Sequence, residues 1–125
     1  MQAAYERWKT KADFYLVYIR EAHPQDGRRP NPQVKIDQPK THERRTEVAG
    51  QCVASLKLGM PVLVDDMQDT VAKAYNAMPD RLFILEADGT IGYRGDRGPR
   101  GFDVAAMEKR LEALLKPATP AKKAD

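Results

Sequence analysis

The sequence predicts an α/β domain in which helices cover both faces of a sheet. Three observations carry that expectation. Helix-like and strand-like segments alternate along the chain and end in a hairpin followed by a helix, an order that implies a sheet with both faces covered. The hairpin is marked by Asp88-Gly89 between two apolar runs. The 125 residues, 42% hydrophobic and 31% charged, suffice for one core but not for two lobes, because single cores commonly run to roughly 100–150 residues.

The elements follow in order. Residues 2–11 read as the end of a helix, with Tyr5 and Trp8 on one face. Phe14-Tyr15-Leu16-Val17-Tyr18-Ile19 is a continuous apolar run that suits a strand covered on both faces. From His23 to Pro39 turn formers dominate, so the chain makes a long loop there, and long loops in small domains are often functional. A helix is expected over 41–58, capped by Thr41 and ended by Gly59, with Val48, Ala49, Cys52, Val53 and Leu56 on its apolar stripe. Pro61-Val62-Leu63-Val64-Asp65 is a short strand, and Asp69 caps a helix through Val71, Ala72 and Tyr75. Strands over 81–85 and 90–94 flank the turn, and Gly95 to Gly101 is a glycine-rich loop. Asp103 caps the last helix, which buries Val104, Met107, Leu111, Leu114 and Leu115 until Pro117 stops it. The domain boundaries drawn are 1–116, with a flexible Pro/Ala/Lys tail over 117–125.

Composition narrows the function classes. Lys and Arg number 21 against 18 Asp and Glu, a net charge of +3. The basic excess lies between Arg28 and Arg45 and in the tail from Lys116; neither stretch holds an aromatic residue for a base to stack on, so no nucleic-acid partner is expected. No run approaches the roughly 20 apolar residues of a membrane span, and the polar start is no signal peptide. The expectation is a cytoplasmic protein with no membrane partner. The single cysteine, Cys52, excludes an internal disulfide, a CxxC pair and a multi-cysteine zinc site. His23 and His42, separated by a Pro-rich loop, fall short of a metal ligand set. Gly95-Asp96-Arg97-Gly98-Pro99 lacks the spacing and the Lys-Ser/Thr of a phosphate loop.

Two strings are distinctive. Tyr18-Ile19-Arg20-Glu21-Ala22-His23-Pro24-Gln25-Asp26-Gly27 leaves the first expected strand, and Gly95-Asp96-Arg97-Gly98-Pro99-Arg100-Gly101-Phe102 precedes the last helix. With Pro61 to Met67, Ala74-Tyr75 and Pro79-Asp80-Arg81-Leu82, they resemble the iodothyronine deiodinase-like family over about residues 2–115. The resemblance implies a thioredoxin-like three-layer sandwich. It also implies reductive removal of iodine from aromatic rings by a cysteine or selenocysteine, with an external thiol as reductant and no cofactor. The implied ligand is an iodinated phenol or another aromatic small molecule.

In that family the nucleophile ends a strand that precedes the first helix. This sequence begins at that helix, so the expected fold is incomplete at its N-terminus: four strands, with the central nucleophile-bearing strand absent. Cys52 does not replace it, because mid-helix on an apolar face it reads as a small buried hydrophobe. The strands at 13–19 and 81–86 would each lose a ladder of hydrogen bonds. Three outcomes are open: the two strands close on each other, a second chain supplies the partner as in a homodimer, or the sequence lacks an upstream part. A deiodinase-like redox domain, inactive alone, is the functional expectation. A non-catalytic ligand-binding or oligomerisation module of the same fold is the alternative.

Alternate strand residues share a face, so Glu21 and His23 can lie together where the strand frays. A carboxylate beside an imidazole suits a proton relay; the plain alternative is a histidine held by Glu21 for local rigidity. The resemblance implies the relay, with Tyr18, Glu21 and His23 as members and His23 also gripping the substrate phenol. It implies that Arg97 pairs with His23 at opposite ends of the ligand and that His42 serves reductive turnover. Read alone, Arg97 is a solvated loop arginine and His42 a polar residue in a helix's first turn. Met78-Pro79 precedes a strand where thioredoxin-like folds place a cis-proline, and a cis bond is expected there.

Overall fold

The computed structural model describes residues 1–117; the expected tail, from residue 118 on, lies outside the described residues. Its elements are α1 (Gln2–Trp8), β1 (Leu16–Tyr18), α2 (His42–Leu56), β2 (Val62–Val64), α3 (Thr70–Ala74), β3 (Phe83–Leu85), β4 (Ile91–Arg94) and α4 (Val104–Leu115). The mixed helix and strand content of an α/β chain is therefore present. A single sheet is not: β1 and β2 form one parallel pair, β3 and β4 a separate antiparallel pair. Among the described residues β1 and β3 do not close on each other, so the first of the three outcomes is not realised.

The strands are shorter than their apolar runs. From the Phe14–Ile19 run only Leu16–Tyr18 is strand, and it is half-buried rather than covered on both faces. Among the described residues β1 has a hydrogen-bonded neighbour along one edge only, and Phe14 packs edge-on against Tyr5 of α1, ring centres 5.7 Å apart. The hairpin behaves as its turn residues direct. The Glu86 N–H donates to the Thr90 carbonyl at 2.8 Å, and Gly89 takes φ +88°, a conformation that a side chain disfavours.

Helix caps follow the sequence at two ends and depart from it at two others. Thr41 Oγ1 accepts from the Arg44 N–H at 3.1 Å, and Asp103 Oδ1 from the Ala106 N–H at 3.0 Å. α2 ends at Leu56, before Gly59, because Lys57 takes the left-handed conformation at φ 52°. The Gly59 N–H instead donates to Gln2 Oε1 at 2.8 Å and ties the loop to α1. Asp69 stands at the N-terminus of α3 but its side chain does not cap it. The carboxylates of Asp65 and Asp66 do that work.

The core gathers Ala4 of α1, Leu82 and Met107 of α4, with Phe14, Ile84, Tyr93 and Val104 packed against them. Each large apolar side chain buried there contributes about 1.5–3 kcal/mol. α4 lies on β3 and β4, and α2 on β2. Met107 and Leu111 are buried while Leu115, expected on the same face, is exposed at the helix end. On α2 the stripe is buried at Val48 and Ala49, half-buried at Cys52 and exposed at Leu56. Arg7 and Trp8 close α1 onto α4: Arg7 Nε and Nη2 each donate to Glu108 at 2.8 Å, and Trp8 Nε1 at 3.1 Å. Among the described residues no helix is long and apolar enough to cross a membrane.

Candidate functional site

The parallel pair brings two strand ends together. β1 finishes at Tyr18 and β2 at Val64, and the Asp65 N–H donates to the Tyr18 carbonyl at 2.9 Å. Beyond β1 the chain forms one wall of a cavity of about 440 Å³ with Arg20, Glu21 and Ala22; Asp69, Lys73 and Met78 contribute to the other. The Met78–Pro79 peptide bond beside it is cis.

The Tyr18 hydroxyl donates to Glu21 Oε1. Burial raises the phenol well above its ordinary value of 10.0, and the hydrogen bond to Glu21 and its charge add to the rise. The phenol stays neutral at physiological pH and remains a donor. Cys52 of α2 is near enough to Glu21 for that carboxylate to act on its thiol. Burial, then Glu21, pushes the thiol above its ordinary 9.0. A half-buried thiol held protonated is a poor attacking group.

The neighbouring strand end holds residues that the sequence reading passed over. Asp65, 2% exposed, accepts from the main-chain N–H groups of Asp66 and Val71 at Oδ1 and of Ala72 at Oδ2, each at 2.9 Å. Arg45, 3% exposed, donates from Nη1 to the Asp66 carbonyl at 2.6 Å and to Asp69 Oδ1 at 3.1 Å. Its Nε has no hydrogen-bond partner among the described residues. Asp69, released from capping, stands between Arg45 and Arg20, whose Nη1 lies 4.0 Å from the other carboxylate oxygen. One signal was available: Arg45 continues the helical spacing of Val48, Ala49 and Cys52 and so falls on the apolar stripe.

Of the residues singled out from sequence, Tyr18 and Glu21 meet and the others stand apart. Glu21 and His23 do not pair. His23 is exposed, with Nδ1 3.0 Å from the Arg29 carbonyl. The expected side-by-side placement fails because strand alternation ends at Tyr18, so residues 21–23 follow loop geometry. His42 is exposed in the first turn of α2, where its carbonyl accepts from Thr46 Oγ1 at 2.9 Å. Arg97 is exposed on the 95–101 loop.

That loop is hung from the segment after Pro79. The Gly95 N–H donates to Leu82 O and the Gly98 N–H to Asp80 O, both at 2.9 Å, while Arg81 Nε donates to Gly95 O at 2.6 Å. A Cβ at Gly101 would lie 2.6 Å from the Arg97 carbonyl oxygen, so this tight turn requires glycine. Among the described residues no cluster of three or more His, Cys, Asp or Glu side chains could hold a metal ion.

The chain is thus of mixed α/β content, with a tyrosine–carboxylate pair whose carboxylate, that of Glu21, lines the cavity. The iodothyronine deiodinase family model matches residues 1–115, and the chain belongs to that family. It is 34% identical over 119 residues to the thyroxine 5-deiodinase of Ovis aries, covering 88% of this chain and 39% of that protein. The thyroxine 5-deiodinase of Homo sapiens is likewise 34% identical, with 88% of this chain and 37% of the human protein covered. That of Sparus aurata is 36% identical over 102 residues, 81% of this chain and 38% of its own length. The chain thus spans well under half the length of the curated relatives it matches.

Proposed function

We propose that residues 1–116 form a deiodinase-like oxidoreductase domain of thioredoxin-like fold, serving reductive dehalogenation of an iodinated phenol or related aromatic. Replacing carbon–iodine with carbon–hydrogen takes two electrons and a proton: Ar–I + 2 RSH → Ar–H + I⁻ + H⁺ + RS–SR. The observation that carries the reading is the Tyr18 hydroxyl on Glu21 at the cavity, in a chain matched to the family over residues 1–115. In this reading Tyr18 and Glu21 hold and pass the proton with His23, His42 serves reductive turnover, and His23 with Arg97 grips the ligand. An external thiol supplies the electrons, no cofactor or metal takes part, and a reducing cytoplasm suits that thiol. Cys52 is the only cysteine, and its thiol is held protonated. The nucleophile therefore comes from outside these 125 residues, as a strand seated between β1 and β3, and the chain alone is inactive.

Dithiothreitol-driven iodide release from an iodinated phenol tests this. The expected release by the 125-residue chain is nil; release abolished by Cys52→Ser would overturn the reading. NMR titration with the same phenol should shift signals at Tyr18, His23 and Arg97. His23→Ala and Arg97→Ala should each weaken binding by about fivefold to tenfold, the size of one lost polar contact.

One observation favours a second reading, an assembly module: β1 and β3 each have a paired neighbour on one edge only among the described residues. Light scattering of the purified chain separates the two. A stable dimer supports pairing through those edges, and a strict monomer removes it.

A further inference from the structure

We propose that Gln38 is a positioning residue for Glu21, clipping its main chain just past the end of β1 so that the carboxylate stays on the Tyr18 hydroxyl. The clip is double. Gln38 Oε1 accepts from the Glu21 N–H and Gln38 Nε2 donates to the Glu21 carbonyl, both at 2.9 Å. A side-chain amide carries the same donor and acceptor as a peptide group, so one glutamine supplies at Glu21 what a neighbouring strand would supply.

Gln38 is itself held. Its N–H donates to Asp26 Oδ1 at 2.9 Å, and the adjacent Gln25 N–H donates to the Ile36 carbonyl at 2.7 Å. The next residue, Pro39, is buried. Three residues after Gln38, Thr41 caps the helix that begins with His42. The far end of a long loop is thereby fastened to its start, and the segment bearing Glu21 is joined to the segment bearing His42. Without the clip, the Glu21 main chain beyond β1 loses both of these bonds and its carboxylate loses its fixed approach to the phenol. The inference rests on the relay reading for its functional meaning.

The test is Gln38→Met, which keeps the length of the side chain and removes both hydrogen bonds, with Gln38→Asn as a polar variant too short to make both. In chain labelled at the tyrosine ring carbon bonded to oxygen, NMR reads exchange of the Tyr18 hydroxyl with water, assigned by Tyr18→Phe. Both variants should speed that exchange about tenfold or more while amides of β2 and α4 exchange as in the parent. Unchanged hydroxyl exchange in both variants overturns the proposal. So does an equal rise across hydroxyl and core amides, which marks a general loss of stability. The measurement needs no iodinated ligand. A chain that passes it yet binds no iodinated phenol keeps Gln38 in this role and loses the dehalogenation reading; one that binds the phenol with unmoved exchange loses only the role of Gln38.

Discussion

Asp65 and Glu21 stand just past the ends of neighbouring parallel strands, and their surroundings differ sharply. Asp65 is sealed from solvent and both of its oxygens are filled by main-chain N–H groups at the start of α3. Glu21 is half-buried, faces a cavity, and accepts its side-chain hydrogen bond from a phenol rather than from the backbone. The first carboxylate has become part of the scaffold, since removing it strands several amides at once. The second is anchored through its main chain, by Gln38, which leaves its side chain available. Residue type does not separate a structural acid from a chemical one; the identity of its hydrogen-bond partners does.

The largest expected effect follows from the sealed member. Asp65→Ala leaves three N–H groups without their acceptor, and the chain should lose about 3 kcal/mol or more of stability, measured by urea unfolding followed by circular dichroism. Glu21→Ala should cost about 1 kcal/mol or less in the same assay. Equal losses would break the comparison. Next comes Gly101→Ala. The added methyl meets the Arg97 carbonyl oxygen, which the backbone cannot rotate away. A cost of about 1–3 kcal/mol is expected, with amide shift changes confined to the loop that carries Arg97 and none at Tyr18.

The smallest effect concerns pH. An unfolded Tyr18 ionises near 10.0, whereas the folded one holds its proton to higher pH, chiefly through burial and then through Glu21. Above that pH the folded state binds more protons than the unfolded state, so stability falls as pH rises, and the contribution is fully present below it. Tyr18→Phe should flatten the fall in urea midpoint between about pH 9 and pH 11 relative to the parent. Parallel curves would mean that the phenol is not held by its surroundings.

Much of the fold is legible in the sequence because its signals are local. Thr41 and Asp103 each stand immediately before a helix that carries a periodic apolar stripe, and Asp88-Gly89 sits between two apolar runs. What escaped depends on groups that only folding brings together. Gln38 acts on a residue 17 positions away and Arg45 on one 24 positions away; helical spacing marks Arg45 as facing inward but does not name its partner. Tyr18 and Glu21 lie close enough in the chain to meet, whereas Glu21 and His23 do not pair. Strand alternation ends with β1 at Tyr18, and beyond it His23 turns toward the loop carbonyl of Arg29. Cys52 is half-buried rather than buried because the α2 stripe is covered near Val48 and opens toward Leu56.

The hydrogen bonds that hang residues 95–101 from Asp80, Arg81 and Leu82 assign Arg97 to the hairpin half of the molecule, while Tyr18 and Glu21 ride on the parallel half. Among the described residues these halves share no strand pairing. An aromatic compound held as proposed, between His23 beyond β1 and Arg97, would act as a strut, its length fixing the distance between two frames that packing and loops otherwise join.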